Sequence, residues 1–546
     1  MRRIAALVAA LTLVPATAAH AQTGTAPAAV DPNKPIGVTN LDATQPGYRL
    51  KGREVRAIAD RVGKIKRVRH KYKGSYSGVY TKGPGRWQVS YFSPDKPPKE
   101  IGQLYIDDRS GRVTEAWTGY QVPWTMARGY SGAFGRKVNS PWVWISLTVV
   151  FILGFFDRRR PFRILHLDLL VLAAFGISVA YFNDANVDTS VPILYPLLAY
   201  ALARLLWVGL RTRPERDPAA RGEPLRMLLP ASWMAVAAIF LVGFRIGLNV
   251  TDSNVIDVGY AGVIGADRMT HGEPIYDAFP KDNEHGDTYG PVNYIAYIPF
   301  VTALGWSGRW DDLPAAHGAA ITFDLLALLL CFLVGRRVRG PNLGIALAFA
   351  WAAYPFTLYT LACNANDALV TVFVLAALFV AASAPWRGLM AALGGLTKFA
   401  TLGLAPLFAM HGFERTRVRG LVLFGLAFAA AAAWALSPLV INGDSLATMY
   451  DRSIAYQAER NAPFSIWGLY DLDTLQHVWQ GLAVLLAVGV ALVPRRRDVI
   501  GLAALAGAVL IALQLGVTYW FYLYIVWFFP LVMLAVLGRY AEPDPA

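Results

Sequence analysis

The sequence predicts a polytopic α-helical membrane protein of about eleven spans, with a small extracytoplasmic α+β domain near its amino end. Three observations lead there. Hydrophobic residues make up 55% of the 546 residues and charged residues only 16%, with a mean hydropathy of +0.38, which is too apolar and too sparsely charged for a soluble chain of this length. The first residues have the order of a secretory signal. Apolar runs then alternate with arginine-rich turns, the pattern of spans joined by cytoplasmic loops. Cys331 and Cys363 both fall in or beside apolar runs, so no disulfide framework and no cysteine metal site is implied.

Residues 1–21 have a basic start, an apolar stretch and Ala19-His20-Ala21 before Gln22, and read as a signal peptide. No cysteine follows that point, so a lipoprotein is not expected. Residues 22–46, rich in Pro, Ala and Thr, read as a linker. Residues 47–137 read as the extracytoplasmic domain. Helical periodicity runs from Glu54 to Val68, and alternation predicts strands over Arg86–Phe92 and Glu100–Ile106. Asp107-Asp108-Arg109-Ser110-Gly111 is a hairpin turn, with Arg112 to Gln121 returning. This order, and the stretch DDRSGRVTEAWTGYQV, resembles a PepSY-like domain, which implies a binding or regulatory module. Residues 47–137 carry 20 Lys and Arg against 7 Asp and Glu, a net of +13 within a chain net of +14. Beyond the membrane, nucleic acid is excluded as a partner. An anionic lipid or polymer is the expected partner of so basic a surface, set against a merely solvated one.

The membrane part is placed at 141–540. Spans are predicted at about 141–156, 164–183, 190–210 and 227–248, with later ones separated by Arg336 to Arg339, Arg415 to Arg419 and Arg495 to Arg497. Two apolar stretches do not fit this count. Residues 292–304 are short, and crossing there would put Arg336 to Arg339 outside, so an interfacial or re-entrant helix is expected. Residues 387–411 are too short for two spans, so Gly394 to Lys398 is expected at the tip of a re-entrant hairpin, where broken helices line polar cavities.

The loop from Thr251 to Pro291 is the odd one out. It holds eight acids against two bases, Arg268 and Lys281, where the other short loops are basic. Within it stand Asp257-Val258-Gly259-Tyr260, Gly272-Glu273-Pro274-Ile275-Tyr276-Asp277 and Tyr289-Gly290-Pro291, followed by Pro299. Downstream come Asn364-Ala365-Asn366, Gly394 to Lys398, and Asn461 to Trp467 with Ser465. In this order the motifs resemble glycosyltransferase family 87, although Asn364 and Ala365 depart from the family's Gly-Gln-x-Asn element. The resemblance implies a C-type glycosyltransferase fold. It also implies transfer of a sugar from a polyprenyl-phosphate donor on the extracytoplasmic face of a bacterial inner membrane. The added amino-terminal domain and leading spans depart from the minimal pattern and leave the acceptor open, as a cell-envelope glycan or lipid.

The residues themselves point to roles. A transferase needs a carboxylate to take the acceptor proton. Asp257 is the first candidate, close behind span four, and Asp252 the second, each set against a helix cap or a solvated loop acid. Tyr260, one helical step on, would shape the sugar pocket unless it is an interfacial anchor; Tyr276 and Tyr289 join it through the resemblance. Lys398 is a lone charge in an apolar hairpin, expected to hold the donor phosphate or to pair with a carboxylate. Arg452 and Arg460 are further phosphate candidates. Asn366 would order the sugar or cap a helix. No motif compels a metal site, and no cofactor is expected. The competing function is a transporter or flippase for a lipid-linked or anionic solute with a basic sensor domain. A noncatalytic wall-polymer receptor is a third.

Overall fold

The computed structural model describes residues 34–129, 134–223, 225, 227–494 and 496–540. The predicted signal peptide, residues 22–33 of the predicted linker and Arg495 lie outside the described residues. The chain divides into two compact units, the first ending at Pro123 and the second starting at Trp124.

In the first unit the strands β1 (Ile36–Gly37), β2 (Tyr76–Thr81), β3 (Arg86–Phe92), β4 (Glu100–Asp107) and β5 (Val113–Thr118) form one antiparallel sheet in sequence order. The helices α1 (Gly52–Asp60) and α2 (Gly63–Lys71) bury Val55, Ala59 and Ile65 in a core with Trp87, Val89, Leu104 and Ile106. The single helix expected over 54–68 is therefore two. It breaks at Val62, whose ψ of 127° is extended, just before Gly63, a poor helix former. The predicted linker also shortens, because Ile36 and Gly37 pair with Thr81 and Tyr80. Asp108, expected only as a turn residue, is a hub. Its carboxylate accepts from the indole of Trp87 at 2.7 Å and from the Arg49 and Leu50 amides at 2.7 and 2.9 Å.

The predicted domain end at 137 moves back to Pro123. Beyond it the chain makes short 3-10 turns, and the Gly135 amide donates to Asn254 of the helical unit at 2.9 Å.

The helical unit runs through α3 (Pro141–Gly154), α4 (Ile164–Asn183), α5 (Val187–Arg211), α6 (Ala231–Thr251), α7 (Asp257–Thr270), α8 (Pro291–Leu304) and α9 (Pro314–Arg339). It continues through α10 (Pro341–Ala353), α11 (Pro355–Ala362), α12 (Asp367–Phe379), α13 (Ala384–Gly395), α14 (Ala405–Met410) and α15 (Phe413–Ile441). The last long helices are α16 (Asp473–Leu492), α17 (Val499–Leu515) and α18 (Ile525–Leu537). Among the described residues six helices are long and apolar enough to cross a membrane, or seven if the pair α10 and α11, bent by 56°, is one span. The expected eleven are not met. Several apolar runs fold into helices of 13 to 17 residues, namely α3, α12, α17 and α18, where crossing takes about 20 residues; α8 is short as well, at 14 residues, as expected for 292–304. The stretch 387–411 is broken as expected, with α13 ending at Gly395 and Lys398 extended before the next 3-10 turn. Exposed Ile239, Phe240 and Leu485 give the bundle the apolar outer surface that lipid requires. Inside it, charges are paired. Arg204 donates to Asp168 at 2.9 Å, and Arg245 pairs with Asp324, which also accepts from the Trp351 indole at 2.8 Å.

Candidate functional site

Asp257 opens α7, and its backbone setting is built by the turn between α11 and α12. The amides of Asn254 and Ile256 donate to the carbonyls of Ala362 and Cys363 at 3.1 and 3.2 Å. Asn364, at φ +50°, donates from its side chain to Ser253 Oγ and the Asn254 carbonyl at 3.0 and 3.1 Å. Gly259 makes this approach possible, since a Cβ there would sit 2.3 Å from the Asn364 carbonyl. The Asp257 side chain is exposed to solvent, yet burial is the first cause that raises its pKa above the ordinary aspartate value. The two facts agree for a group that water reaches while protein surrounds it at longer range. Arg460 and Lys398 are near enough to oppose the shift.

A second approach brings Tyr289 to Lys398. The Gly290 and Val292 amides donate to the carbonyls of Thr397 and Leu396 at 3.2 and 3.0 Å, docking the end of the acidic loop on the tip of the broken hairpin. The Lys398 ammonium lies 5.2 Å from the Tyr289 ring centre, 5.5 Å from that of Tyr524 and 5.3 Å from that of Trp527. It donates to Asp367 Oδ1 at 2.7 Å, which also accepts from the Trp527 indole at 2.8 Å. Lys398 thus has its own carboxylate, the pairing that a buried ammonium requires.

Arg460 differs. Among the described residues it has no carboxylate partner. Its guanidinium stacks 3.7 Å over the Tyr519 ring, with Trp124 and Tyr456 at 5.5 and 5.7 Å, and its buried Nε has no hydrogen-bond partner. The Asp257 charge is felt at both Tyr519 and Tyr524. Asp257, Lys398, Arg460 and Tyr289 are therefore near neighbours, together with Tyr519, Tyr524 and Trp527.

The other candidates stand behind it or elsewhere. Tyr276 is buried, and its hydroxyl donates to the Tyr289 carbonyl at 2.9 Å, steadying that loop. Asn366 is buried and donates to Asn293 at 2.7 Å, one residue before Asp367. Arg452 is committed to the acidic loop. It meets Asp287 at 2.7 Å and the Glu284 carbonyl at 2.7 Å, and the Asp287 bond is the first cause that raises its pKa. Asp252 is paired with Lys137 at 2.7 Å, and this bond holds its carboxyl below the usual range. Tyr260 faces away from Asp257, stacking on Trp310 with its hydroxyl 3.3 Å from Asp282. Tyr519 and Tyr524 stand in an aromatic run, Thr518 to Tyr524, where an interfacial ring and a site-lining ring look alike in sequence. Trp124 carried no signal at all.

Comparison of the chain with family models, with curated proteins and with solved structures finds no match.

Proposed function

We propose that the protein is a membrane glycosyltransferase of the C-type fold. It transfers a sugar from a polyprenyl-phosphate donor to an envelope glycan or lipid on the extracytoplasmic face of a bacterial inner membrane. The observation that carries this reading is an accessible, enclosed carboxylate, Asp257, in electrostatic reach of a guanidinium with no carboxylate of its own. In the step, Asp257 takes the acceptor hydroxyl proton and the acceptor oxygen bonds to the anomeric carbon. The bond from that carbon to the phosphate oxygen breaks, and the phosphate leaves with the electron pair beside Arg460. Lys398, paired with Asp367, sets the local field and steadies Tyr289. The rings of Tyr289, Tyr519 and Tyr524 offer apolar faces to a sugar. No metal or cofactor is invoked.

The first unit, PepSY-like in its motif order, is proposed as a module for an anionic lipid or polymer. Residues 34–123 carry 18 Lys and Arg against 8 Asp and Glu. Lys64, Lys66, Arg67 and Lys71 on α2 are all exposed.

The test is incubation of purified protein in nanodiscs with a panel of polyprenyl-phosphate sugars, following donor loss by mass spectrometry. Consumption of one donor, abolished by Asp257→Asn with donor binding intact, supports the reading. No consumption of any donor, with vectorial movement of a lipid-linked solute in proteoliposomes, would replace it with transport.

A further inference from the structure

Arg460 is held in an unusual way for a cation in a site. Among the described residues no carboxylate orients it; aromatic faces do. The plate beneath it, Tyr519, is fixed from the same direction. Its hydroxyl donates to Met126 Sδ at 3.3 Å, and Trp124 lies 6.2 Å from it, ring centre to ring centre. Trp124 also meets Phe464 edge-on at 5.6 Å, and Phe464 is buried four residues beyond Arg460. One short strap, Trp124 to Gly129, therefore touches the cation, its plate and the segment that carries it. The strap is pinned at its far end as well. Gly129 has φ +55°, and a Cβ there would lie 2.4 Å from the Asn183 carbonyl, so only glycine fits. Trp124 is also the first residue after the amino-terminal unit.

We infer that Trp124 is a positioning residue for Arg460, holding the guanidinium by its faces so that its terminal N–H groups are offered to a phosphate. A guanidinium stacked between rings keeps all five donors in a fixed fork. A carboxylate partner would instead occupy the edges and cancel the charge that the phosphate needs. The contact with Trp124 is weaker than the one with Tyr519, since cation–ring attraction acts within about 6 Å of the centre. Its value lies in joining the cation, its plate Tyr519 and Phe464 in one aromatic cluster. The identity of the anion rests on the function proposed above; the coupling of Trp124 to Arg460 does not.

A double-mutant cycle on the full-length protein in nanodiscs tests this, with two readouts. The first is affinity for a sugar-free anionic probe, a polyprenyl phosphate. Trp124→Ala is expected to weaken it about tenfold, which is about 1.4 kcal/mol, and Trp124→Phe to restore most of it. Arg460→Gln should weaken it further, and Trp124→Ala should add little on that background, because interacting residues are not additive. The second readout is thermal unfolding without ligand, where the same two changes should again fall short of additivity. Additive effects in both readouts, or unchanged affinity in Trp124→Ala, would overturn the inference. If the parent protein does not bind the probe, the proposed donor is wrong, and the unfolding cycle alone decides whether Trp124 and Arg460 are coupled.

Discussion

Asp257 carries the clearest conflict between stability and chemistry in the molecule. Enclosure raises its pKa, so the fold favours the protonated form. Stability is therefore full at low pH and falls as the pH rises through the raised value, the reverse of a salt-bridged aspartate. The proposed base is active only when ionised, so turnover should rise over that same window. Asp257→Asn should cost about 10²–10⁴-fold in turnover and raise the unfolding temperature at neutral pH, since it removes an enclosed charge. Parallel pH profiles of turnover and of thermal unfolding check both signs. A lower unfolding temperature for Asp257→Asn would mean that the carboxylate is a structural partner and not a base. The sequence made Asp257, Lys398 and Arg460 visible because each is an odd residue for its setting, and Tyr289 only through the resemblance. An acid or arginine at an outer surface and a lysine in an apolar run stand out. Asp252, the second candidate, and Arg452 stood out in the same way and are bound to Lys137 and Asp287, because pairing partners far along the chain leave no local signal.

Between elements, two close approaches assemble the site, and each depends on a backbone that no side chain may obstruct. A Cβ on Gly290 would meet the Leu396 carbonyl at 2.0 Å. Gly290→Ala must push the acidic loop off the hairpin tip and carry Tyr289 away from Lys398. Overpacking of this kind costs about 1–3 kcal/mol; turnover should fall by more than the lost stability explains, read by comparing activity per folded molecule. The helices are tied by the buried pair of Arg245 on α6 and Asp324 on α9, with Thr357 Oγ1 of α11 accepting from Arg245 at 3.0 Å. Asp324→Ala leaves a buried guanidinium unpaired and should cost about 3–5 kcal/mol, while joint replacement by Met and Leu should cost far less. Unfolding of the two variants in the same detergent distinguishes them. Helix existence was legible from apolar runs, and helix length was not. Pro355 starts a new helix after Tyr354 and bends the pair by 56°, and the hairpin tip breaks around Lys398. A hydropathy window averages across both.

At the scale of the whole molecule, the distribution of charge makes the orientation testable. The acidic loop that carries Asp257 joins α6 to α8, while Arg336, Arg337 and Arg339 close α9. The positive-inside rule would put those arginines in the cytoplasm and the loop outside. In that orientation the donor of the proposed reaction would present its sugar from the outer leaflet. Cys331 and Cys363 are both buried, so the native chain offers little background to a thiol reagent. Lys281 is exposed in the loop, and Lys281→Cys should react with a membrane-impermeant maleimide in intact cells with the outer membrane permeabilised. Arg337→Cys, exposed at the other end of α9, should react only after lysis. Labelling of position 281 only after lysis would turn the protein over. Asp257 would then face cytoplasmic sugar donors, and the polyprenyl-phosphate reading would fall with the topology.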